Sequence, residues 1–161
     1  MIFEGIRLAD VVKLSGEELE FLSSADLRTG AELLYEKYKM KLLAVTLGPR
    51  GCVCRMKQGF FTSEAFDVSC VDTTGAGDAF WGAVLAGIVR KSILLEDDSP
   101  DQINALLDAA NAAGALATTK KGAIPAMPDE KQIHNCIGTM PRANRGRRGT
   151  TLSKGGDGGT S

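Results

Sequence analysis

Apolar residues recur along this chain with two alternating periods. Residues 10–14 and 42–47 are short, almost continuous apolar runs bounded by charged or glycine positions, the pattern of strands covered on both faces in a sheet between helices. Residues 17–22, 27–38, 76–89, 101–119 and 129–137 instead space their apolar positions by about one helical turn, as amphipathic or buried helices do. Residues 52–56 and 60–66 flank Lys57-Gln58-Gly59 and predict a hairpin, and residues 68–71 read as a further extended segment. Ser99-Pro100-Asp101-Gln102 supplies a cap, a proline at the first helical position and the far side of a capping box. Strands interleaved with helices, without an internal repeat, predict a layered α/β domain.

The turn into the third of these helices carries candidate chemistry. In Asp72-Thr73-Thr74-Gly75-Ala76-Gly77-Asp78-Ala79-Phe80, small residues fall where a helix starts, and a carboxylate lies in its first turn. Unpaired N–H groups at a helix start attract a phosphoryl group, and residues no larger than alanine let it approach. Asp78 could then accept or orient the proton of a hydroxyl attacking a terminal phosphate. A tight structural turn would use the same glycines. Two familiar nucleotide loops are excluded: Phe80 occupies the last glycine position of G-x-G-x-x-G, and no G-x-x-x-x-G-K-[ST] occurs. A dinucleotide-dependent oxidoreductase is disfavoured accordingly.

The run from Val71 to Phe80 resembles the C-terminal signature of the ribokinase-like, or PfkB, carbohydrate kinases, and its surroundings are most similar to plant-type fructokinases. The likeness extends through Ala9-Asp10-Val11-Val12-Lys13-Leu14-Ser15-Gly16-Glu17-Glu18, Leu43-Ala44-Val45-Thr46-Leu47-Gly48-Pro49-Arg50-Gly51, Asn111-Ala112-Ala113-Gly114-Ala115 and Thr118-Thr119-Lys120-Lys121-Gly122. What it implies is a ribokinase-like layered fold represented by its C-terminal, nucleotide-binding half, with the lid and the N-terminal half missing from a truncated chain. Residues 1–140 are expected to form this part, and residues 141–161 a basic, Gly-rich disordered tail.

The resemblance implies further that Asp78 is the catalytic base and that Gly75, Ala76 and Gly77 form the anion hole. By the same likeness Thr46, Gly48 and Gly51 line the ATP phosphates and ribose, and Asn111 lies near the adenine. Ser15 and Glu18 match an element tied to magnesium and phosphate, with Ser15 replacing the family's asparagine; the pair is equally a capping box. Asn111 and Lys120 read, without the resemblance, as solvated side chains. A potassium ion is implied beside Asp72, Thr74, Ala117, Lys120 and Gly122, largely through backbone carbonyls.

Composition narrows the partners. The chain has 161 residues, 43% of them hydrophobic, and a net charge of −1, enough for one globular core and without a global bias toward nucleic acid. Four cysteines without zinc spacing suggest a reducing compartment, His134 has no ligand set around it, and no stretch approaches a membrane span, so a cytoplasmic location is expected. The partners expected are ATP and a sugar, with neither membrane nor nucleic acid. Two functions stand: an ATP-dependent kinase acting on fructose or a related sugar, and a non-catalytic nucleotide-binding remnant associating, as a homo-oligomer or with another chain, through an exposed sheet edge.

Overall fold

A computed structural model describes residues 2–90, 95, 97–122 and 127–143. The elements, in chain order, are α1 (Ile2–Ile6), β1 (Val11–Ser15), α2 (Gly16–Ser23), α3 (Leu27–Tyr38), β2 (Leu42–Thr46), a 3-10 turn (Gly48–Arg50), β3 (Cys52–Met56), β4 (Gly59–Ser63), α4 (Ala76–Arg90), α5 (Pro100–Ala117) and α6 (Glu130–Thr139). The loop expected around Pro125 and the tail beyond residue 143 lie outside the described residues.

The four strands form one sheet in sequence order. β1 and β2 are parallel, pairing Val11 with Leu42 and Ser15 with Thr46, while β3 and β4 continue as antiparallel neighbours. The sheet is therefore mixed, parallel only where a helical crossover joins two strands and antiparallel where a tight turn does. Alternation assigns the faces. Leu43 and Val45 of β2 join Val12 and Leu14 of β1 against α2 and α3, whereas Leu42 and Ala44 pack with Phe80, Val84, Ile103 and Leu107 of α4 and α5. β2 is buried on both sides, as its unbroken apolar run requires.

The caps form where side-chain chemistry places them. Ser99 and Gln102 make a reciprocal capping box with Pro100 at the first helical position, and Ser15 with Glu18 makes another at the start of α2. α5 is buried along most of its length. The small residues of α4 permit close packing at Gly87, where a Cβ would stand 2.3 Å from Leu106 Cδ1, whereas Gly82 faces open space.

One expectation is corrected. Residues 68–71 form no strand; the segment is instead fastened at its end, where the Val71 and Asp72 N–H groups both donate to the Thr118 carbonyl at 2.7 and 3.0 Å. Just past the expected end of the domain at residue 140, Arg142 is docked on it. It pairs with Asp108 at 2.6 Å, donates to the Glu64 carbonyl at 2.7 Å and lies 4.0 Å from the Phe66 ring centroid. A solvated arginine was the natural reading of a basic, Gly-rich stretch, but Asp108 and the Glu64 carbonyl give this one a partly buried seat.

Candidate functional site

The carboxyl ends of β1 and β2 lie side by side, Ser15 paired with Thr46, at the edge where layered α/β sheets place ligands, and Lys13 of β1 reaches the first turn of α4. Residues Val11, Lys13 and Ser15 of β1 alternate toward the α4 face, opposite Val12 and Leu14. Thr46, paired with Ser15 at the strand end, donates its hydroxyl to the Leu14 carbonyl at 3.4 Å.

The turn into α4 is built by hydrogen bonds rather than by a preceding strand. Asp72 accepts from the Thr74 N–H on one carboxylate oxygen (2.9 Å) and from the Gly122 N–H on the other (3.1 Å). Those bonds hold its carboxyl below the usual aspartate range, with the Thr74 side chain the largest contributor, then the backbone of Thr74 and of Gly122. Gly75 follows with φ +83, a turn conformation costly for other residues. The Ala79 N–H then makes the first α-helical bond to the Gly75 carbonyl at 2.8 Å.

This geometry refines which amides can meet an anion. The Ala76 N–H is engaged with the Thr73 carbonyl at 3.2 Å, whereas the N–H groups of Gly77 and Asp78 have no acceptor among the described residues. Gly75, Ala76 and Gly77 are half-buried and the Asp78 side chain is exposed at the third position of the helix. The carboxylate thus stands beside the free amide donors and open to solvent.

The other expected positions are distributed unevenly. Glu18 gives one carboxylate oxygen to the Ser15 N–H at 2.7 Å, and the Ser15 hydroxyl oxygen accepts from the Glu18 N–H at 3.1 Å, so the cap exists whatever else the pair does. Gly48 and Gly51 bracket the 3-10 turn after β2; Gly48 is exposed and Gly51 buried. Asn111 is neither solvated nor open to a ligand at its amide nitrogen. It is buried and donates to the Ser63 carbonyl at 3.0 Å and hydroxyl at 2.8 Å, clasping β4 to α5.

Of the expected cation positions, Asp72, Thr74 and Gly122 are joined directly by hydrogen bonds. Ala117 is the fully buried last residue of α5, and Lys120 is exposed beside a hollow of about 240 Å³ between α5 and α6. A larger cavity of about 530 Å³ is lined by Arg7, Lys37, Tyr38 and Lys39, none of which belongs to this site. His134 is exposed on α6, and no cluster of three or more His, Cys, Asp or Glu side chains able to hold a metal occurs among the described residues. No helix among them is long and apolar enough to cross a membrane.

Lys13 was not singled out from the sequence as part of the site. Its ammonium nitrogen lies 3.4 Å from where a Cβ of Gly77 would stand. The period-2 alternation of β1 was the available signal, since it puts a lysine on an inward face.

The chain is 44% identical over 132 residues to the probable fructokinase-4 of Arabidopsis thaliana, covering 80% of this chain and 39% of that protein. Its structure is similar to an ATP-bound fructokinase from Xylella fastidiosa, with 33% identity, a TM-score of 0.77 and coverage of 85% of this chain and 45% of that one. A Vibrio cholerae O395 fructokinase double mutant, bound to fructose, ADP and potassium ion, matches at 32% identity and TM-score 0.72, with 84% and 43% covered. The chain thus spans less than half the length of these relatives. Residues 1–130 match the model of the pfkB family carbohydrate kinases, and with four-fifths of its length accounted for in this way the chain belongs to that family.

Proposed function

We propose that this chain is the nucleotide-handling part of an ATP-dependent sugar kinase that phosphorylates a hydroxyl of fructose or a related sugar. The observation that carries the reading is the exposed Asp78 carboxylate, set beside the free N–H groups of Gly77 and Asp78 at the start of the 15-residue helix α4. Those amides receive charge on the phosphoryl oxygens as it passes between donor and acceptor. Asp78 holds the acceptor hydroxyl in line and takes its proton.

Thr46, Gly48 and Gly51 serve the remaining phosphates and the ribose, and Asn111, whose amide nitrogen clasps Ser63, lies near the adenine. Magnesium carried with the ATP phosphates would neutralise their charge, and Ser15 with Glu18 would offer it oxygen donors. Potassium suits the oxygen donors around Asp72, Thr74 and Gly122, where it would order the turn, with Ala117 and Lys120 contributing from the end of α5. The working location is the cytoplasm.

A second reading is favoured by one observation. The outer edge of β1 pairs with no strand among the described residues, and Leu8 and Phe21 are more than four-fifths exposed. On this reading the chain binds nucleotide without turnover and associates with a second copy or another chain through that edge.

Purified chain, assayed for ATP-dependent fructose phosphorylation and separately for ATP binding by calorimetry, distinguishes the two. The kinase reading expects turnover that falls by about 10²–10⁴-fold in Asp78→Ala while ATP binding persists. Binding without turnover in the original chain supports the second reading; turnover that survives Asp78→Ala refutes the assigned mechanism.

A further inference from the structure

The backbone of residues 63–65 forms a wall behind the turn that follows β2. Gly51 has no room for a Cβ because the Ser63 carbonyl oxygen, the Glu64 carbonyl carbon and the Ala65 nitrogen stand against it. Its neighbour Cys52 pairs with Ser63 in the β3–β4 ladder, and the Gly51 carbonyl accepts from the Leu47 N–H at 2.8 Å, closing the turn onto the end of β2. The position of the wall therefore sets the position of Gly48 to Gly51.

That wall is held by a segment distant in sequence. The Asp67 N–H donates to the Pro141 carbonyl and the Ala143 N–H to the Ala65 carbonyl, both at 2.9 Å, so residues 141–143 lie antiparallel beside 65–67. Between those bonds Arg142 donates from one guanidinium nitrogen to the Glu64 carbonyl at 2.7 Å, and another meets Asp108 Oδ2 of α5 at 2.6 Å. Asp108 Oδ1 accepts from the Ser63 hydroxyl at 2.6 Å, and that hydroxyl accepts from the buried Asn111 amide at 2.8 Å. The Phe66 ring centroid lies 4.0 Å from the guanidinium carbon. A planar fork can serve a carbonyl, a carboxylate and an aromatic ring together, which an ammonium cannot do.

We infer that Arg142 is a positioning residue for the nucleoside end of ATP: by tying residues 63–65 to α5 it fixes the wall against which Gly51 packs and the seat of Asn111. The inference rests on the nucleotide-binding reading above. It adds to that reading a residue lying beyond 1–130, the part matched by the family model. The turn before α4 is restrained separately, by the Thr118 carbonyl and the Gly122 N–H. Arg142 thus governs one end of the ligand and leaves the phosphate donors of α4 in place.

The test measures binding of ATP and of inorganic tripolyphosphate, each with magnesium, to the full chain and to Arg142→Met, Arg142→Lys and Asp108→Asn, well below the melting temperature of each variant. Arg142→Met is expected to weaken ATP about tenfold, the scale of one lost hydrogen bond to a charged group. Tripolyphosphate should change by less than about twofold on the same scale, because it keeps the α4 amides and has no nucleoside to place. Arg142→Lys, which retains the charge without the fork, should fall between the original chain and Arg142→Met, and Asp108→Asn should also weaken ATP selectively. Should Arg142→Met fail to fold, the other two variants decide by the same pair of ligands. A merely structural role predicts equal losses for both ligands, or no loss in a folded variant, and either result overturns the assignment. An original chain that binds ATP but not tripolyphosphate overturns the division between the two turns on which the inference stands. Binding of neither overturns the nucleotide reading itself, a result distinct from the others.

Discussion

Gly51→Ala is expected to be among the most damaging single-methyl additions in this chain. Gly51 has φ +93 and ψ −135, outside the regions open to other residues. An added Cβ would stand 2.0 Å from the Ser63 carbonyl oxygen, 2.8 Å from the Ala65 nitrogen and 2.9 Å from the Glu64 carbonyl carbon. All three are backbone atoms, so no rotamer change relieves the contact. The segment must withdraw by more than an ångström, and it is pinned: Ser63 O accepts from Asn111, Glu64 O from Arg142, and Ala65 O from the Ala143 N–H.

Strain of about 1–3 kcal/mol in the backbone adds to about 1–3 kcal/mol of overpacking, so about 2–6 kcal/mol is expected, a large share of the roughly 5–15 kcal/mol that holds a typical domain. Gly48→Ala is the control. Gly48 also has positive φ (+58) but nothing lies within 4 Å of its Cβ position, so its cost is about 1–2 kcal/mol of left-handed backbone alone. Urea unfolding followed by circular dichroism should place the Gly51→Ala midpoint below that of Gly48→Ala by about 1 M, a mid-range difference of about 2.5 kcal/mol divided by an m-value of about 2 kcal/mol/M. Coincident midpoints would refute the steric argument and the geometry of the turn after β2.

Arg142→Ala should cost about 2–3 kcal/mol, combining a partly shielded ion pair with a carbonyl hydrogen bond. Asp108→Ala should be non-additive with it in a double-mutant cycle of urea midpoints, because the two share one interaction. The stabilising hydrogen bonds to the Asp72 carboxylate should persist above the ordinary aspartate value of about 3.9 and fade as pH falls through the lower folded value, since a depressed carboxyl loses its contribution on protonation. In an NMR titration the Gly122 amide should report that transition, and Asp72→Asn should remove it. Of the four thiols, only Cys70 should react promptly with a disulfide reagent at pH 8. Cys52 and Cys54 are buried, with burial pushing the Cys52 thiol up to about 11 and Cys54 up further, and Cys136 is buried and raised too. Three further equivalents should appear on denaturation, and prompt reaction of more than one in the folded chain would contradict that packing.

Elements whose identity depends on local pattern were legible in the sequence. The unbroken run of β2, the turn-spaced apolar residues of α3 and α4, and the caps at Ser15 and Ser99 each carry their cause within a few residues. What escaped depends on distant partners. Residues 68–71 have strand-like composition, but a strand needs a neighbour, and the Thr118 carbonyl offers two bonds rather than a ladder. Asn111 reads as polar on a helix until Ser63 is brought against it. Arg142 reads as tail until Asp108 and the Glu64 carbonyl meet it. Lys13 is an unremarkable strand lysine until the fold sets Gly77 beside it. In the site itself, the glycines and Asp78 were visible because phosphate binding by helix amides is a local property, whereas the engagement of the Ala76 amide with Thr73 depends on how the turn closes.

That division bears on which activities can be separated. The turn before α4 draws its restraints from within the described chain: Thr118 and Gly122 hold Val71 and Asp72, and Asp72 holds Thr74. Its amide donors are therefore oriented without help from further residues, and their affinity for phosphate should follow the stability of α4 and α5, which pack closely together. The acceptor hydroxyl is a different matter. Asp78 is exposed, and on the proposed reading the other site residues serve phosphate, ribose or cation rather than a sugar ring. A weakly held alcohol would spend little time in line, and phosphoryl transfer depends on positioning more than on bond-making chemistry. ATP affinity should consequently survive changes at the outer edge of β1, while turnover should respond to whatever fixes the sugar over Asp78. Measuring both on the same preparation, with substitutions at Leu8 and Phe21 to polar residues, separates them: a parallel fall in ATP binding would mean that the nucleotide turn is not self-supporting after all.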